Sequence, residues 1–157
     1  MEIEKATVER LIRQILSEKL SGVTSCNSGS VDFVRSVAPG GVMSVKLPTV
    51  KVDESNRLDT GCSQDKVYTK DIFTLSESPR LGCGVMEMTR TTFDWTLNYD
   101  EIDYVIEGSL SIIINGSTVT AGPGELILIP KGSKIQFSVP EYSRFIYVTY
   151  PANWAES

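Results

Sequence analysis

The feature that most constrains the fold is a series of short β-rich runs from residue 31 onward, separated by Gly, Pro, Asn and Asp. Examples are "KVYTKDIFTL", "TTFDWTL", "EIDYVIEG", "ELILIPKG" and "RFIYVTYP", and no stretch with helical periodicity lies between them. Closely spaced short strands without intervening helices favour an antiparallel sandwich or barrel over a parallel βαβ sheet. The sequence therefore predicts a single all-β domain over residues 31–157.

One turn of this domain is specified by a dipeptide. Asn115 and Gly116 lie between the runs "SLSIII" and "STVTAG". A type I′ turn needs positive φ at both central residues, and Asn-Gly is its preferred sequence. We expect a β-hairpin centred there.

The first 30 residues differ in character from the rest. Residues 1–21 are predicted to form a short amphipathic helix, and the Ser- and Gly-rich residues 22–30 a flexible linker. A helix of about 14 residues is marginal alone in water, so its apolar face is expected to be buried on its own domain, on a sister chain or on a third protein. That face carries Val8, Leu11, Ile12, Ile15, Leu16 and Leu20.

Composition excludes several classes of function. The net charge is -5 and Lys and Arg form no cluster, which argues against a nucleic acid partner. No apolar run approaches the roughly 20 residues of a membrane span, and the N-terminus lacks the apolar stretch of a secretory signal. The three cysteines form no CxxC pair, as is typical of reduced thiols. We therefore expect a cytoplasmic protein without membrane contact.

The spacing of one acid, three glycines and a proline resembles the two motifs of the cupin superfamily. Glu101 is followed after six residues by Gly108, and Gly124 is followed after five by Pro130 and then by Gly132. These glycines and the proline suit tight barrel corners. The resemblance implies a single cupin barrel, a double-stranded β-helix of the jelly-roll type.

The usual metal ligands of that superfamily are absent, because the chain contains no histidine. Depending on the spacing used, the first two histidine positions become Asp94 and Thr96 or Trp95 and Leu97; the third is Ile135. Only the glutamate of the motif remains, so we expect no intrinsic metal with nitrogen ligands.

Oxygen ligands are still available near this motif. Asp94, Glu101 and Asp103 would offer Mg²⁺ a weak site that a substrate phosphate completes. If Glu101 faces the barrel interior, the period-2 geometry of strands turns Asp103 inward too, and burial would raise the pKa of both carboxyl groups. The alternative is that both acids lie solvated at the rim. The other residues expected to face inward are Val105, Ile135, Phe137 and Val139.

Three segments carry a closer resemblance. "WTLNYDEIDYVIEG", "IPKGSKIQF" and "YPANW", preceded by a helix on a polar tether, are similar to the EutQ family of ethanolamine-utilisation cupins. The resemblance implies a homodimer in bacterial ethanolamine catabolism, associated with a microcompartment. It also implies acetate kinase activity, the interconversion of acetate and ATP with acetyl phosphate and ADP. On this interpretation residues 7–20 dock on shell or cargo proteins.

Phosphoryl transfer requires cations around the transferred oxygens, and the chain has no P-loop. We expect no tightly bound cofactor, only Mg²⁺ that arrives with ATP or ADP. The catalytic candidates are Glu101 and Asp103, which would hold this ion with or without Asp94, and Lys131, which would neutralise phosphate. The residues expected to shape the substrate and nucleotide pocket are Asp94, Trp95, Asn98, Tyr99 and Lys134.

Two other functions compete with the kinase. In one, the barrel is a non-catalytic binding or assembly module whose helix docks on microcompartment shell or cargo proteins. In the other, Glu101 is the general base of an isomerase or lyase acting on a small carbonyl compound.

Overall fold

The computed structural model describes residues 31–154. The chain divides into two units between Asp32 and Phe33, and all of the strands lie in the second. The predicted helix in 1–21 and the linker 22–30 lie outside the described residues. Within 31–154, no helix is long and apolar enough to cross a membrane.

The described part of the chain consists of strands joined by turns, with two 3₁₀ turns at Leu47–Thr49 and Glu54–Asn56 and no α-helix. Every strand pairing is antiparallel, which confirms the predicted all-β class. The strands are β1 (Arg35–Val37), β2 (Met43–Val45), β3 (Lys66–Asp71), β4 (Gly82–Thr96), β5 (Asp100–Gly108), β6 (Leu110–Ile114), β7 (Ser117–Ala121), β8 (Leu126–Ile129) and β9 (Lys134–Tyr150).

Strands β4 and β9 are long enough to belong to two layers. They pair from Gly82 opposite Thr149 to Thr96 opposite Lys134, with a register shift between Thr89 and Thr91. The second half of β9 also pairs with β5, and β8 extends that layer beyond β5. The first half of β9 pairs with β6, which forms a hairpin with β7. The two layers enclose one core.

Aromatic and branched side chains fill this core. Phe137 stacks on Phe93 with ring centroids 5.4 Å apart and on Phe145 at 6.5 Å. The four apolar residues predicted to face inward are all buried, which confirms the predicted register of β5 and β9. They are Val105, Ile135, Phe137 and Val139.

The predicted turns are also confirmed. Asn115 and Gly116 both have positive φ, 49° and 77°, between β6 and β7. Gly108 and Gly132 have positive φ as well, and a Cβ on Gly108 would overlap the carbonyl of Tyr142. The sequence motif thus marks real backbone requirements at these corners.

One outer face of the sheet is apolar and exposed. Ile102 and Tyr104 on β5 lie directly opposite Leu128 and Leu126 on β8, and all four are 42% or more exposed. Contiguous apolar patches of this kind often mark interaction sites. The homodimer remains a prediction, and this face is a surface on which it can be tested.

Candidate functional site

Two carboxyl groups lie inside the barrel. Glu101 and Asp103 face inward from β5 with exposures of 4% and 0%. Across β5 and β9, Glu101 is opposite Thr149 and Asp103 is opposite Tyr147. The alternative in which both acids are solvated at the rim is wrong.

Glycines on the next strand clear the space for these polar groups. Gly82 on β4 lies opposite Thr149, and Gly84 lies opposite Tyr147. A Cβ on Gly82 would overlap the Thr149 hydroxyl, and a Cβ on Gly84 would overlap the Tyr147 hydroxyl. The sequence "GCG" therefore permits a close approach of side chain to backbone, which is a recognised use of glycine in strands.

Four buried oxygens here have no hydrogen-bond partner: Glu101 Oε1, both Asp103 carboxyl oxygens and Thr149 Oγ1. Ionised carboxylates only accept hydrogen bonds, and a buried acceptor without a donor is costly. The two acids are neighbours on one face of β5, and the charge of one affects the titration of the other. The pair is therefore built to hold a proton.

Burial governs the titration of this pair. Desolvation raises the pKa of Glu101 to about 8, and the neighbouring Asp103 side chain acts in the opposite direction. The pKa of Asp103 is raised well above its ordinary value by desolvation first, and then by the charge of Glu101. The predicted rise in both pKa values is confirmed. Burial therefore favours the uncharged form of both groups.

Glu101 lines a small cavity with aromatic walls. The cavity volume is about 10 Å³, which is room for about one water molecule. A nucleotide does not fit in such a space. The aromatic side chains around it are Phe93, Trp95, Tyr99, Phe137, Tyr147 and Trp154.

Three partly exposed residues mark the mouth of the cavity: Leu58, Trp95 and Trp154. The Trp154 ring lies 5.8 Å from that of Tyr99 and 5.9 Å from that of Tyr147. Trp95 Nε1 donates a hydrogen bond of 2.8 Å to the Tyr99 hydroxyl. The indole of Trp154 therefore covers the entrance, and the Trp95–Tyr99 pair forms one of its walls.

The structure decides between the two spacings for the former histidine positions. Trp95 faces the cavity and Leu97 is buried, whereas Asp94 and Thr96 are exposed. Successive side chains of a strand point to opposite faces, so Asp94 and Thr96 face outward where Trp95 faces the cavity. The assignment of the histidine positions to Asp94 and Thr96 is therefore wrong. The third position, Ile135, is buried opposite Trp95 as expected.

The expected set of three acids for Mg²⁺ is not assembled. Asp94 lies on the outer face, where it accepts a 3.0 Å hydrogen bond from Gln136, while Glu101 and Asp103 face inward. Among residues 31–154, no three His, Cys, Asp or Glu side chains come together as a metal site.

The two candidate lysines lie outside the barrel. Lys131 follows the proline of the β8–β9 turn, and its backbone N–H donates to Asp100 at 2.9 Å. With Asn115, Lys131 and Lys134 line a pocket of about 410 Å³. Lys134 also borders an adjacent pocket of about 420 Å³, together with Asp94 and Trp95.

The site predicted as one cluster is therefore two sites. The carboxyl pair lies in the interior and the lysines lie on the outside, with Trp95 bordering both the inner cavity and an outer pocket. Backbone hydrogen bonds join the end of β4 to the turn that carries the lysines. The Gly132 N–H donates to the Leu97 carbonyl at 2.7 Å, and the Leu97 N–H donates to the Ser133 carbonyl at 3.0 Å. Asn98 is exposed and borders neither pocket.

Sequence reasoning missed the contributions of β4 and β9. Thr149 and Tyr147 alternate on the inward face of "YVTYP", and the facing glycines alternate in "GCG". The signal was the period of two in each segment, but it becomes informative only when the strands are known to be paired.

Comparisons with known proteins agree with this architecture. The fold resembles that of the cupin domain of Cnp3 from Schizosaccharomyces pombe, with a TM-score of 0.56 at 14% identity over 81% of this chain and 93% of that one. Likeness at this identity concerns the fold alone and defines the class of fold: the described domain has the fold of a cupin domain.

The family follows from closer relatives. Residues 3–156 match the family described as "Ethanolamine utilisation protein EutQ", and the chain belongs to that family. It is 68% identical over 153 residues to "Acetate kinase EutQ" of Clostridioides difficile, covering 98% of this chain and 95% of that one. The solved structure of the Clostridium difficile EutQ protein superimposes with a TM-score of 0.80 at 73% identity, covering 82% and 93% of the two chains.

A more distant relative is longer than this chain. "Acetate kinase EutQ" of Salmonella typhimurium is 35% identical over 148 residues, which is 93% of this chain and 63% of the relative. The chain thus spans less than two thirds of that protein.

Proposed function

We propose that this ethanolamine-utilisation protein interconverts acetate and ATP with acetyl phosphate and ADP. In the forward direction an acetate oxygen attacks the terminal phosphorus of ATP, the bond from that phosphorus to its bridging oxygen breaks, and ADP leaves with the electron pair. The observation that carries this proposal is the 68% identity, over 98% of the chain, to a protein named as an acetate kinase.

The geometry supports a division of the substrates between two sites. The inner cavity, at about 10 Å³, has room only for part of a small molecule. The outer pocket of about 420 Å³ is in the size range of ligand pockets and borders Lys134 and Trp95. We therefore assign the nucleotide to the outside of the barrel and the acyl group to the mouth of the cavity.

The charges support the same division. Phosphate oxygens are stabilised by cations, and Lys131 and Lys134 both line the adjacent pocket of about 410 Å³. Burial raises the pKa of both carboxyl groups, so the pair repels an anionic ligand less than two exposed acids would. Mg²⁺ arrives with the nucleotide as part of the substrate, and it binds at the phosphates outside the barrel.

The test is the formation of ATP from acetyl phosphate, ADP and Mg²⁺ by the full chain. Replacing both lysines, Lys131→Gln with Lys134→Gln, should raise the KM for ADP about tenfold, because each lost charge–phosphate contact weakens binding. The control is Lys66→Gln, an exposed lysine on β3 away from these pockets. An inactive wild-type chain would contradict the kinase, and an unchanged KM in the double variant would contradict the nucleotide site.

The second candidate is a non-catalytic binding module, and the small size of the cavity favours it. In this case the chain would bind a small ligand or a partner protein without turnover. We propose association with the microcompartment through residues 7–20 in either case. A fluorescent fusion that lacks residues 1–25 should lose its localisation to the compartment; retained localisation would contradict this role.

A further inference from the structure

One group at the inner cavity has no role so far. Glu101 lines the cavity, and its buried Oε1 has no hydrogen-bond partner. On the facing strand, the buried Thr149 Oγ1 also has no hydrogen-bond partner. Buried polar atoms are nearly always paired with protein, water or ligand. We therefore expect the cavity to hold a polar atom, from water or a ligand, that forms a hydrogen bond with Glu101 Oε1.

We propose that the Glu101 carboxyl group donates a hydrogen bond to the inner oxygen of a small acyl ligand, acetate or acetyl phosphate. The second oxygen of that ligand would face the mouth beside Trp95. The identity of the ligand rests on the proposed function; the hydrogen-bonding requirement of the cavity does not.

The space and its walls suit such a ligand. A cavity with room for about one water accepts one oxygen atom, and the rest of the molecule extends towards the partly exposed Trp95 and Trp154. The aromatic walls offer apolar contact to a methyl group. Tyr99 is another polar residue in the wall, and its hydroxyl oxygen accepts a hydrogen bond from Trp95 Nε1.

The electrostatics explain why the donor is a carboxyl group. An acid held neutral by an apolar site can donate to a carbonyl or carboxylate oxygen, which an ionised acid cannot do. Because the pKa of Glu101 is about 8, the donor is present at neutral pH and is lost in alkaline solution. The ionised form would also repel acetate.

Other titratable groups around Glu101 do not obscure this dependence. The pKa of Asp103 on β5 is also raised, first by its burial and then by the charge of Glu101. The pKa values of Tyr99 and of Tyr147 on β9 are raised above 10 by burial, and that of Cys83 on β4 is raised to about 11. Asp71 on β3 accepts a 2.6 Å hydrogen bond from the Tyr147 hydroxyl.

The experiment measures acetate binding to the full chain without nucleotide, by carbon-13 NMR of labelled acetate. The dissociation constant should rise roughly thirtyfold between about pH 6.5 and about pH 9.5, because a group with a pKa of about 8 is almost fully protonated at the first pH and almost fully ionised at the second.

Two variants test the role of the donor. Glu101→Gln keeps an N–H donor at every pH, so it should bind acetate with a similar constant at both pH values. Glu101→Leu removes the donor and should lose binding at both. The control is Glu107→Gln, an exposed acid on the same strand, which should retain the full pH dependence.

Several outcomes would overturn the inference. The first is the absence of acetate binding to the wild-type chain at about pH 6.5, which is expected if only water fills the cavity. The second is an equal dissociation constant at both pH values. The third is a Glu101→Gln variant that keeps the wild-type pH dependence. Failure of the kinase is distinguishable, since binding without ATP formation refutes the proposed reaction alone. ATP formation with binding that ignores pH refutes the donor alone.

Discussion

The two halves of the barrel interior use one strand face for different purposes. At the position of Val105, β5 meets Phe145 on β9, and both are fully buried among apolar neighbours. Asp103 and Glu101 lie two and four residues earlier on the same face. Both Asp103 carboxyl oxygens and Glu101 Oε1 lack a hydrogen-bond partner. The register is the same in both halves, and only the side-chain chemistry changes.

This difference shows where the chain departs from what stability alone would select. A valine or leucine at position 101 or 103 would cost nothing in desolvation, whereas a buried carboxyl group without a partner does. Titratable groups with strongly shifted pKa values in a cavity are typical of functional sites. The apolar half stabilises the fold, and the carboxyl half is the candidate for function.

The largest effect is expected in the apolar half. Phe145→Ala should lower the free energy of unfolding by about 3 to 5 kcal/mol, because it removes a fully buried ring and leaves a cavity. Urea denaturation measures this change. A loss under about 1 kcal/mol would show that this half is not the stabilising one.

The next effect depends on pH and belongs to the carboxyl half. The folded pKa of Glu101 is raised from 4.5 to about 8, so its stabilising contribution is complete below about pH 4.5 and is lost as the pH rises to about 8. We expect Glu101 to account for a decrease of about 4 kcal/mol in the free energy of unfolding over this interval.

Urea titrations of wild type and Glu101→Gln at a series of pH values test this expectation. The decrease should be smaller in Glu101→Gln than in wild type, with the remainder due to the buried Asp103, and it should be unchanged in the control Glu107→Gln. Parallel pH profiles for wild type and Glu101→Gln would show that Glu101 does not contribute to the pH dependence.

A smaller effect on stability is expected at the mouth of the cavity. Trp154→Ala should cost about 2 kcal/mol, because the ring packs on Tyr99 and Tyr147 but is partly exposed. It should also increase acrylamide quenching of Trp95. Unchanged quenching would mean that Trp154 does not cover the entrance.

The smallest effect is expected at Thr149. Thr149→Val keeps the shape of the side chain and removes a buried hydroxyl without a partner, so stability should stay constant or rise by about 1 kcal/mol. Thermal unfolding in the absence of acetate measures this change. A loss above about 1 kcal/mol would reveal a hydrogen bond made by this hydroxyl.

Features that depend on local periodicity could be predicted from the sequence. The inward face of β5 and β9 followed from alternation once Glu101 was assumed to face inward, and the Asn115–Gly116 turn followed from its backbone requirement. The rise in the pKa of Glu101 followed from burial in an apolar lumen.

Features that depend on the distance between strands could not. The grouping of Lys131 with Glu101 was wrong because Lys131 lies in the β8–β9 turn and lines an outer pocket, whereas Glu101 faces the interior. The size of the cavity depends on how Trp154 and Leu58 pack over the mouth, and no spacing in the sequence encodes that packing. Asp94 was misplaced because two registers fitted the motif equally well.

The position of the indoles has a practical consequence. The chain contains two tryptophans, and both Trp95 and Trp154 lie at the entrance to the cavity. Tryptophan fluorescence from this protein therefore comes entirely from the entrance to the cavity. Ligand entry at this point can be followed by intrinsic fluorescence, without a label and without a coupled assay.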